Sequence, residues 1–469
     1  MPVVRPPITR HSGRFTRLSA QLSTSPVAAR GTPPPLTSQV SEFVQTELGE
    51  GGYGFNLGMP GPDLIPLQQV RGALNDAIDA SGRDPLVLQY RTPLDFLEFR
   101  QNLAALLSVE HGVSITAEKL AITGGNSVAL GMLLANNRLR RPLPPGAAPR
   151  PAMAVVETPT YFLAGGIMAE VGIEARGCSV DADGLCVDEV EAMCHAGDVP
   201  DFVYTIPNFQ NPRGTVLSAT RRRTLLALAE QFDFLVISDE PYSLLHYSGV
   251  PGSSGDRQAV GGGTSSPLPL AAEDTTPSGR VISLGSFSKI LAPGMRLGWL
   301  HGNEALLQRA YGSSGVLDSG GALNPLGSLA VNQLIKNGAL LANLQLLRHT
   351  FGARLAAMCA AVDKFCPAAT YIRPNGGYFL WLELPVALGD DSAAQLLARS
   401  VAQPPPDACG RTVSYTLGKA CVAASDGAPA QLGLLGRCLR LSFAFHSSAE
   451  IEDGVRILGW HLQAMEQQS

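Results

Sequence analysis

One lysine in this chain sits among residues that suit covalent chemistry. Gly285-Ser286-Phe287-Ser288-Lys289 follows the apolar residues Val281, Ile282 and Leu284, and Pro293-Gly294-Met295-Arg296-Leu297-Gly298 comes next. A lysine at the end of an apolar run can act as an imine-forming amine. Ser286, Ser288 and Arg296 can hold a phosphate beside it, the serines as hydroxyl donors and the arginine as a charged fork. A lone lysine in a Ser/Gly loop would read as a solvent-facing residue. The rest of the chain has to decide between these readings.

Other chemistry-bearing residues also follow short apolar runs. Asp239 comes after Phe234-Leu235-Val236-Ile237-Ser238, with Tyr242 three residues later. An anion at a strand end suits a buried cation. Pro207-Asn208-Phe209-Gln210-Asn211-Pro212-Arg213-Gly214 follows a second run, and Thr123-Gly124-Gly125-Asn126-Ser127 links a third to a helical segment. Backbone N–H groups at a helix N-terminus bind phosphate well. Arg440, in Arg440-Leu441-Ser442-Phe443, offers a fork that matches a carboxylate at two points. Taken singly, each has an ordinary reading as a turn or a strand-edge arginine.

Taken together, these segments resemble the class I/II aminotransferases, which use pyridoxal 5′-phosphate (PLP). The S-x-S-K and P-G-x-R-x-G elements match the family's lysine motif, and Ser-Asp-Glu-Pro-Tyr resembles its D-x-P-Y element. Pro207 to Gly214 resembles P-N-x-x-N-P-x-G, Glu157-Thr158-Pro159-Thr160-Tyr161 resembles E-x-P-x-Y, and Arg440 lies in R-L-x-F. Asn56-Leu57-Gly58-Met59-Pro60-Gly61-Pro62-Asp63 resembles the G-x-P-x-P-D segment over the active site, and Leu88-Gln89-Tyr90 resembles L-x-Y. These two elements look most like the aminoadipate/kynurenine/aromatic branch. The resemblance runs from about Phe55 to Phe445.

What the resemblance implies is specific. Lys289 carries PLP and shuttles the proton. Asp239 pairs with the ring nitrogen, Tyr242 and Asn211 donate to the phenolic oxygen, and Tyr161 stacks on the ring. Asn126, Ser127, Ser286, Ser288 and Arg296 surround the phosphate, while Arg440, with Gly58 and Asn211, receives the substrate. Tyr90 reaches the phosphate of a neighbouring subunit, which implies a homodimer with shared sites. Two departures stand out: Asn126-Ser127 replaces the usual hydroxyl residue and Gln, leaving the side-chain contact to phosphate open, and Arg91 follows Tyr90 where Gly is usual. Expected substrates are an amino acid and a 2-oxo acid. A β-elimination lyase or decarboxylase would use the same residues. A PLP-sensing transcription regulator would need an amino-terminal DNA-binding domain, and residues 1–54 show no helix-turn-helix pattern.

The elements that must position these residues alternate along the chain. Leu94 to Val109, Ser127 to Arg138 and Ala219 to Phe232 have helical spacing. Lys119 to Thr123, Ala152 to Glu157, Phe202 to Ile206, Phe234 to Ser238, Val281 to Leu284 and Leu297 to His301 read as strands. Such alternation predicts an α/β fold with a mostly parallel, doubly wound sheet, whose ligands bind beyond the carboxyl ends of the strands. A long helix to about Phe365, then strands at Gly376 to Leu384 and Cys438 to Phe445, suggest a smaller α/β domain. The expected division has four parts: 1–41 a transit peptide or disordered tail, 42–84 an arm joining the small domain, 85–342 the PLP-binding large domain, and 343–469 the small domain. Pro/Gly/Ser-rich composition marks 141–151, 249–279 and 402–432 as solvated insertions.

Composition narrows the classes. With 469 residues, 45% hydrophobic and 16% charged, the chain is globular and large enough for extensive cores. A net charge of −5 gives no general attraction to nucleic acid or to anionic membrane. Eight cysteines form no C-x-x-C pair, so no metal site is expected. Residues 1–41 contain five Arg after the start and no Asp or Glu, as an organellar (mitochondrial or plastid) transit peptide would; a plain tail would leave the protein cytoplasmic.

Overall fold

The computed structural model describes residues 51–468 apart from 81, 83–87, 93, 143–145, 147–149, 248–265, 278, 312–314, 321–322 and 424–432. The expected tail at 1–41 lies outside the described residues. In chain order the strands are Gly52–Gly54 (β1), Leu120–Thr123 (β2), Ala152–Thr158 (β3), Ile173–Asp181 (β4), Gly184–Leu185 (β5), Phe202–Thr205 (β6), Leu235–Asp239 (β7), Val281–Ser286 (β8), Gly298–Gly302 (β9), Thr370–Tyr371 (β10), Phe379–Glu383 (β11), Thr412–Ser414 (β12), Thr416–Leu417 (β13) and Cys438–Ser442 (β14).

Eight of them form one sheet in the order β2-β9-β8-β7-β6-β3-β4-β5. Strands β4, β3, β6, β7 and β8 pair in parallel, and β9 runs antiparallel to β8 and β2. Every residue of β3, β6, β7 and β8 is buried, which is why these strands read as continuous apolar runs. Alternate residues face opposite cores. Val156, Tyr204, Ile237 and Ile282 pack with Leu130, Leu133 and Leu134 of the helix Asn126–Ala135. Val155, Val203, Val236 and Val281 pack with Leu225, Leu228 and Ala229 of the helix Ala219–Phe232. Each fully buried Val or Leu contributes roughly 1.5–3 kcal/mol. The fold is α/β, with helices on both faces of the large sheet.

The later chain builds a four-stranded antiparallel sheet, β10-β11-β14-β13, packed in one core with the helices Ala339–Phe365 and Ser448–Glu466. Ser447 caps the second helix reciprocally with Glu450. Strand β1 pairs in parallel with β12, and Phe55 exchanges backbone bonds with Ser414 and Ser442, which joins the amino-terminal arm to these elements.

Two expected insertions are partly built into the fold. Within 402–432, β12 and β13 pair with β1 and β14. Near the end of 249–279, the helix Leu270–Glu273 is seated by Leu270 N–H, which donates to buried Glu240. Small residues and prolines in these stretches resemble loop composition, but backbone pairing and a buried carboxylate hold the described parts named above. Among the described residues no helix is long and apolar enough to cross a membrane, and no group of three or more His, Cys, Asp or Glu is arranged to hold a metal.

Candidate active site

The carboxyl ends of β7 and β8 and the turn after β2 meet in one cavity. Its lining includes Gly58, Asn126, Ser127, Tyr161, Asn211, Asp239, Tyr242, Ser286, Ser288, Lys289, Arg296 and Arg440. These are the residues singled out in the sequence, Tyr90 excepted. Tyr90 is 81% exposed in the single chain and lies against Gly320 instead.

Asp239 ends β7, in register with Leu284 of β8. Its carboxylate accepts from Asn126 Nδ2 at 2.6 Å and from the Tyr204 hydroxyl at 2.8 Å. Burial pushes its carboxyl up; the bonds from Tyr204 and Asn126, then the charge of Lys289, pull it back. The sequence left the contacts of the Asn126 side chain open; its amide donates to Asp239 and to the Leu284 carbonyl (3.1 Å). Tyr204 was not anticipated, because a tyrosine inside an apolar strand reads as core.

Lys289 follows β8. Gly285 precedes it because a Cβ there would fall 2.0 Å from the Trp299 ring. Gly298 is equally constrained: a Cβ would lie 2.6 Å from the Gly285 carbonyl and 3.2 Å from Asn126 Oδ1. Lys289 Nζ donates to the Gly58 carbonyl at 2.5 Å. Burial, first, and then the charge of Arg440 lower its pKa to about 8 against the opposing pull of Asp239. Such an amine is neutral far more often than an ordinary lysine, as a nucleophile or base requires.

The end expected to take the phosphate gets its shape from backbone. Gly125, at φ +99°, precedes the helix Asn126–Ala135, and a Cβ on it would come within 3.0 Å of Arg296 Nη2. Arg296 itself has φ +44°, a left-handed conformation that costs a non-glycine residue about 1–3 kcal/mol. Ser288 N–H donates to Ser286 Oγ at 3.1 Å. A helix N-terminus, two serine hydroxyls and a guanidinium thus line one end of the cavity.

Arg440 marks the other end. It is 2% exposed and donates to Asn211 Oδ1, the Asn56 carbonyl and Thr416 Oγ1, each at 3.0 Å. All three partners are neutral, and Arg440 Nε is buried with no partner. Its guanidinium carbon lies 4.1 Å from the Phe379 ring centre. A buried cation held by neutral groups calls for an incoming anion. Because Asn211 Oδ1 accepts from Arg440, its amide N–H₂ is left to donate elsewhere. Tyr242 is 3% exposed, and burial raises its hydroxyl.

Behind the cavity, Glu157 and Gln210 join two loops. Glu157 accepts from the Thr205 hydroxyl (2.5 Å), Ile206 N–H (3.1 Å) and Gln210 Nε2 (2.9 Å), and Gln210 also donates to the Pro159 carbonyl (2.8 Å). Burial lifts Glu157 to about 7 despite these donors. Nothing in the sequence marked Gln210 for this role.

The donor set fits PLP: an anion without a cationic partner at one side, an amine of lowered pKa, and an anion-binding turn. The fold and cavity therefore suit an enzyme that works through a phosphorylated cofactor. Residues 52–458 match the family model of aminotransferase class I and II, and the chain belongs to that family. It is 28% identical to an aromatic-amino-acid aminotransferase of Thermococcus litoralis, over 86% of this chain and 85% of that protein. It is also 28% identical to a 2-aminoadipate transaminase of Thermus thermophilus, over 95% and 98% of the two chains. The crystal structure of a multiple substrate aminotransferase from Thermococcus profundus superimposes with a TM-score of 0.73 at 26% identity, covering 92% of this chain and 96% of that one. The protein is a PLP-dependent aminotransferase.

Proposed function

We propose that this chain holds PLP on Lys289 and moves an amino group between an amino acid of the aromatic or aminoadipate group and a 2-oxo acid, as a dimer with shared sites. The observation that carries the reading is Arg440, a buried cation with neutral partners and a free Nε in the cavity that Lys289 lines. The flanking rings of Phe379 and Phe162, 4.1 and 5.9 Å from its guanidinium carbon, favour an apolar or aromatic side chain nearby. The names of the relatives support the same donors.

When bound, PLP supplies an electron sink for the bond that breaks at the amino acid's Cα. Arg440 takes the α-carboxylate in a two-point grip and so orients Cα toward Lys289. Lys289, neutral over much of its population near pH 8, takes the Cα proton and returns it. Asp239, fixed by Asn126 and Tyr204, keeps a proton on the ring nitrogen. Tyr242 and the Asn211 amide would donate to the phenolic oxygen. The Gly125 turn with Asn126, Ser127, Ser286, Ser288 and Arg296 would hold the phosphate, and Tyr161 would cover the ring.

An amino-donor screen against 2-oxoglutarate and pyruvate tests this. Aromatic amino acids or 2-aminoadipate are expected to give the corresponding 2-oxo acids with stoichiometric amino transfer. Release of ammonia or carbon dioxide in place of amino transfer would overturn the reading. An organellar address for residues 1–41 belongs to the same proposal, and the cellular location of the chain with and without them tests it.

A further inference from the structure

Tyr378 does not line the cavity, yet it touches the residue on which the chemistry turns. Its hydroxyl donates to the backbone carbonyl of Lys289 at 2.6 Å, and its ring centre lies 5.7 Å from Lys289 Nζ. The side chain is 1% exposed, with the rings of Tyr242 and Phe351 packed on it at 5.4 and 5.1 Å between centroids.

The stretch leading to Tyr378 is tightly held. Gly376 bridges to His246, Tyr247 N–H donates to the Asn375 carbonyl, Gly377 N–H donates to the Leu245 carbonyl, and the Tyr247 hydroxyl donates to the Gly377 carbonyl. A Cβ on Gly376 would fall 2.4 Å from Phe209 Cζ and 2.5 Å from the Leu245 carbonyl oxygen, and Gly377 has φ +78°. The stretch therefore passes between the loop that bears Asn211 and the one that bears Tyr242. The next residue, Phe379, packs on the Arg440 guanidinium. Two adjacent side chains thus contact the lysine and the arginine at the two poles of the site.

We propose that Tyr378 is a positioning residue whose hydroxyl, through the Lys289 carbonyl, fixes the register between the lysine amine and the carboxylate site at Arg440. The proposal rests on the reading of Lys289 and Arg440 given above. A lysine side chain has four rotatable bonds, so the place where its backbone is pinned decides where its amine can reach.

Tyr378→Phe keeps the ring and its packing and removes one hydroxyl. Turnover per bound cofactor is expected to fall about tenfold, since a misplacement near 1 Å can cost far more. KM for the amino acid should stay within about twofold, because Tyr378 does not line the cavity. Bonding of added PLP to the cofactor-free variant, followed by absorbance, should slow several-fold while reaching the parent's final stoichiometry. Parent-like turnover and bonding rate overturn the proposal, as does a loss of turnover that only tracks lost cofactor. Absence of transamination by the parent protein would sink the functional reading instead, and the bonding rate would still decide the role of Tyr378.

Discussion

Asn126 Nδ2 lies 2.6 Å from Asp239 Oδ1, so the first residue of a helix expected to cradle phosphate also holds the carboxylate expected to face the ring nitrogen. On the function proposed above, the backbone of Asn126 and its side chain would serve opposite ends of the cofactor. Asn126→Ala should retain PLP with near-parent affinity, because the helix-end amides remain. Turnover should fall by about one to two orders of magnitude, as a charge-assisted hydrogen bond of about 1.5–3 kcal/mol is lost at Asp239. Cofactor titration beside kcat checks both halves. Lost PLP affinity with parent-like turnover would return Asn126 to a phosphate role.

Much of this site was legible because the burial that shapes it also shapes the sequence. Strands β3, β6, β7 and β8 are buried on both faces, so each reads as an apolar run, and the polar residue that ends such a run is conspicuous: Asp239 at the end of β7, Ser286 at the end of β8. Strand β4 was not legible. Its Glu174 is exposed and its Arg176 half-buried, so no apolar run marks it. The helix Leu67–Ala80 escaped for a similar reason, with only Ala73 and Ala77 buried. The partnership of Asn126 with Asp239, 113 residues apart, depends on how β2 and β7 lie in the sheet, and that of Tyr378 with Lys289, 89 apart, on how residues 375–377 pair with residues 245–247; no local pattern encodes either.

Lys289 should bond PLP with a pH dependence set by its own titration. Its pKa is lowered from 10.5 to about 8, so the neutral amine grows as pH rises through 8. Between pH 7 and pH 9 the neutral fraction rises about tenfold, and the bonding rate of cofactor-free protein should rise with it. An ordinary lysine would still be climbing steeply above pH 9. Lys289→Ala should lose bonding altogether, and turnover should fall by several orders of magnitude. Borohydride trapping with peptide mapping checks the attachment point.

Arg440→Ala should separate amino acids from amines. The arginine is expected to contribute two charge-assisted bonds to the α-carboxylate, so kcat/KM on amino acids should drop by at least about two orders of magnitude. A matched amine lacking the carboxylate should lose little. Arg440→Lys keeps the charge but loses the fork, and should recover only part of the difference. Equal losses on both substrates would remove Arg440 from carboxylate binding.

Tyr90 is 81% exposed in the single chain, far more than a tyrosine with no partner surface usually shows. If its phenol donates to the phosphate held in a neighbouring subunit, Tyr90→Phe should weaken PLP retention without unfolding the protein. One hydrogen bond is at stake, about 0.5–1.5 kcal/mol for a neutral pair and more toward a phosphate. Complementation gives the sharper test. In a hybrid of Tyr90→Ala and Lys289→Ala chains, one site would carry both defects and the other neither. Mixing the two variants under subunit exchange should therefore restore activity toward half that of the parent per hybrid dimer. Exchange proven by mass spectrometry with no recovery would mean that Tyr90 acts within its own chain or takes no part in the site.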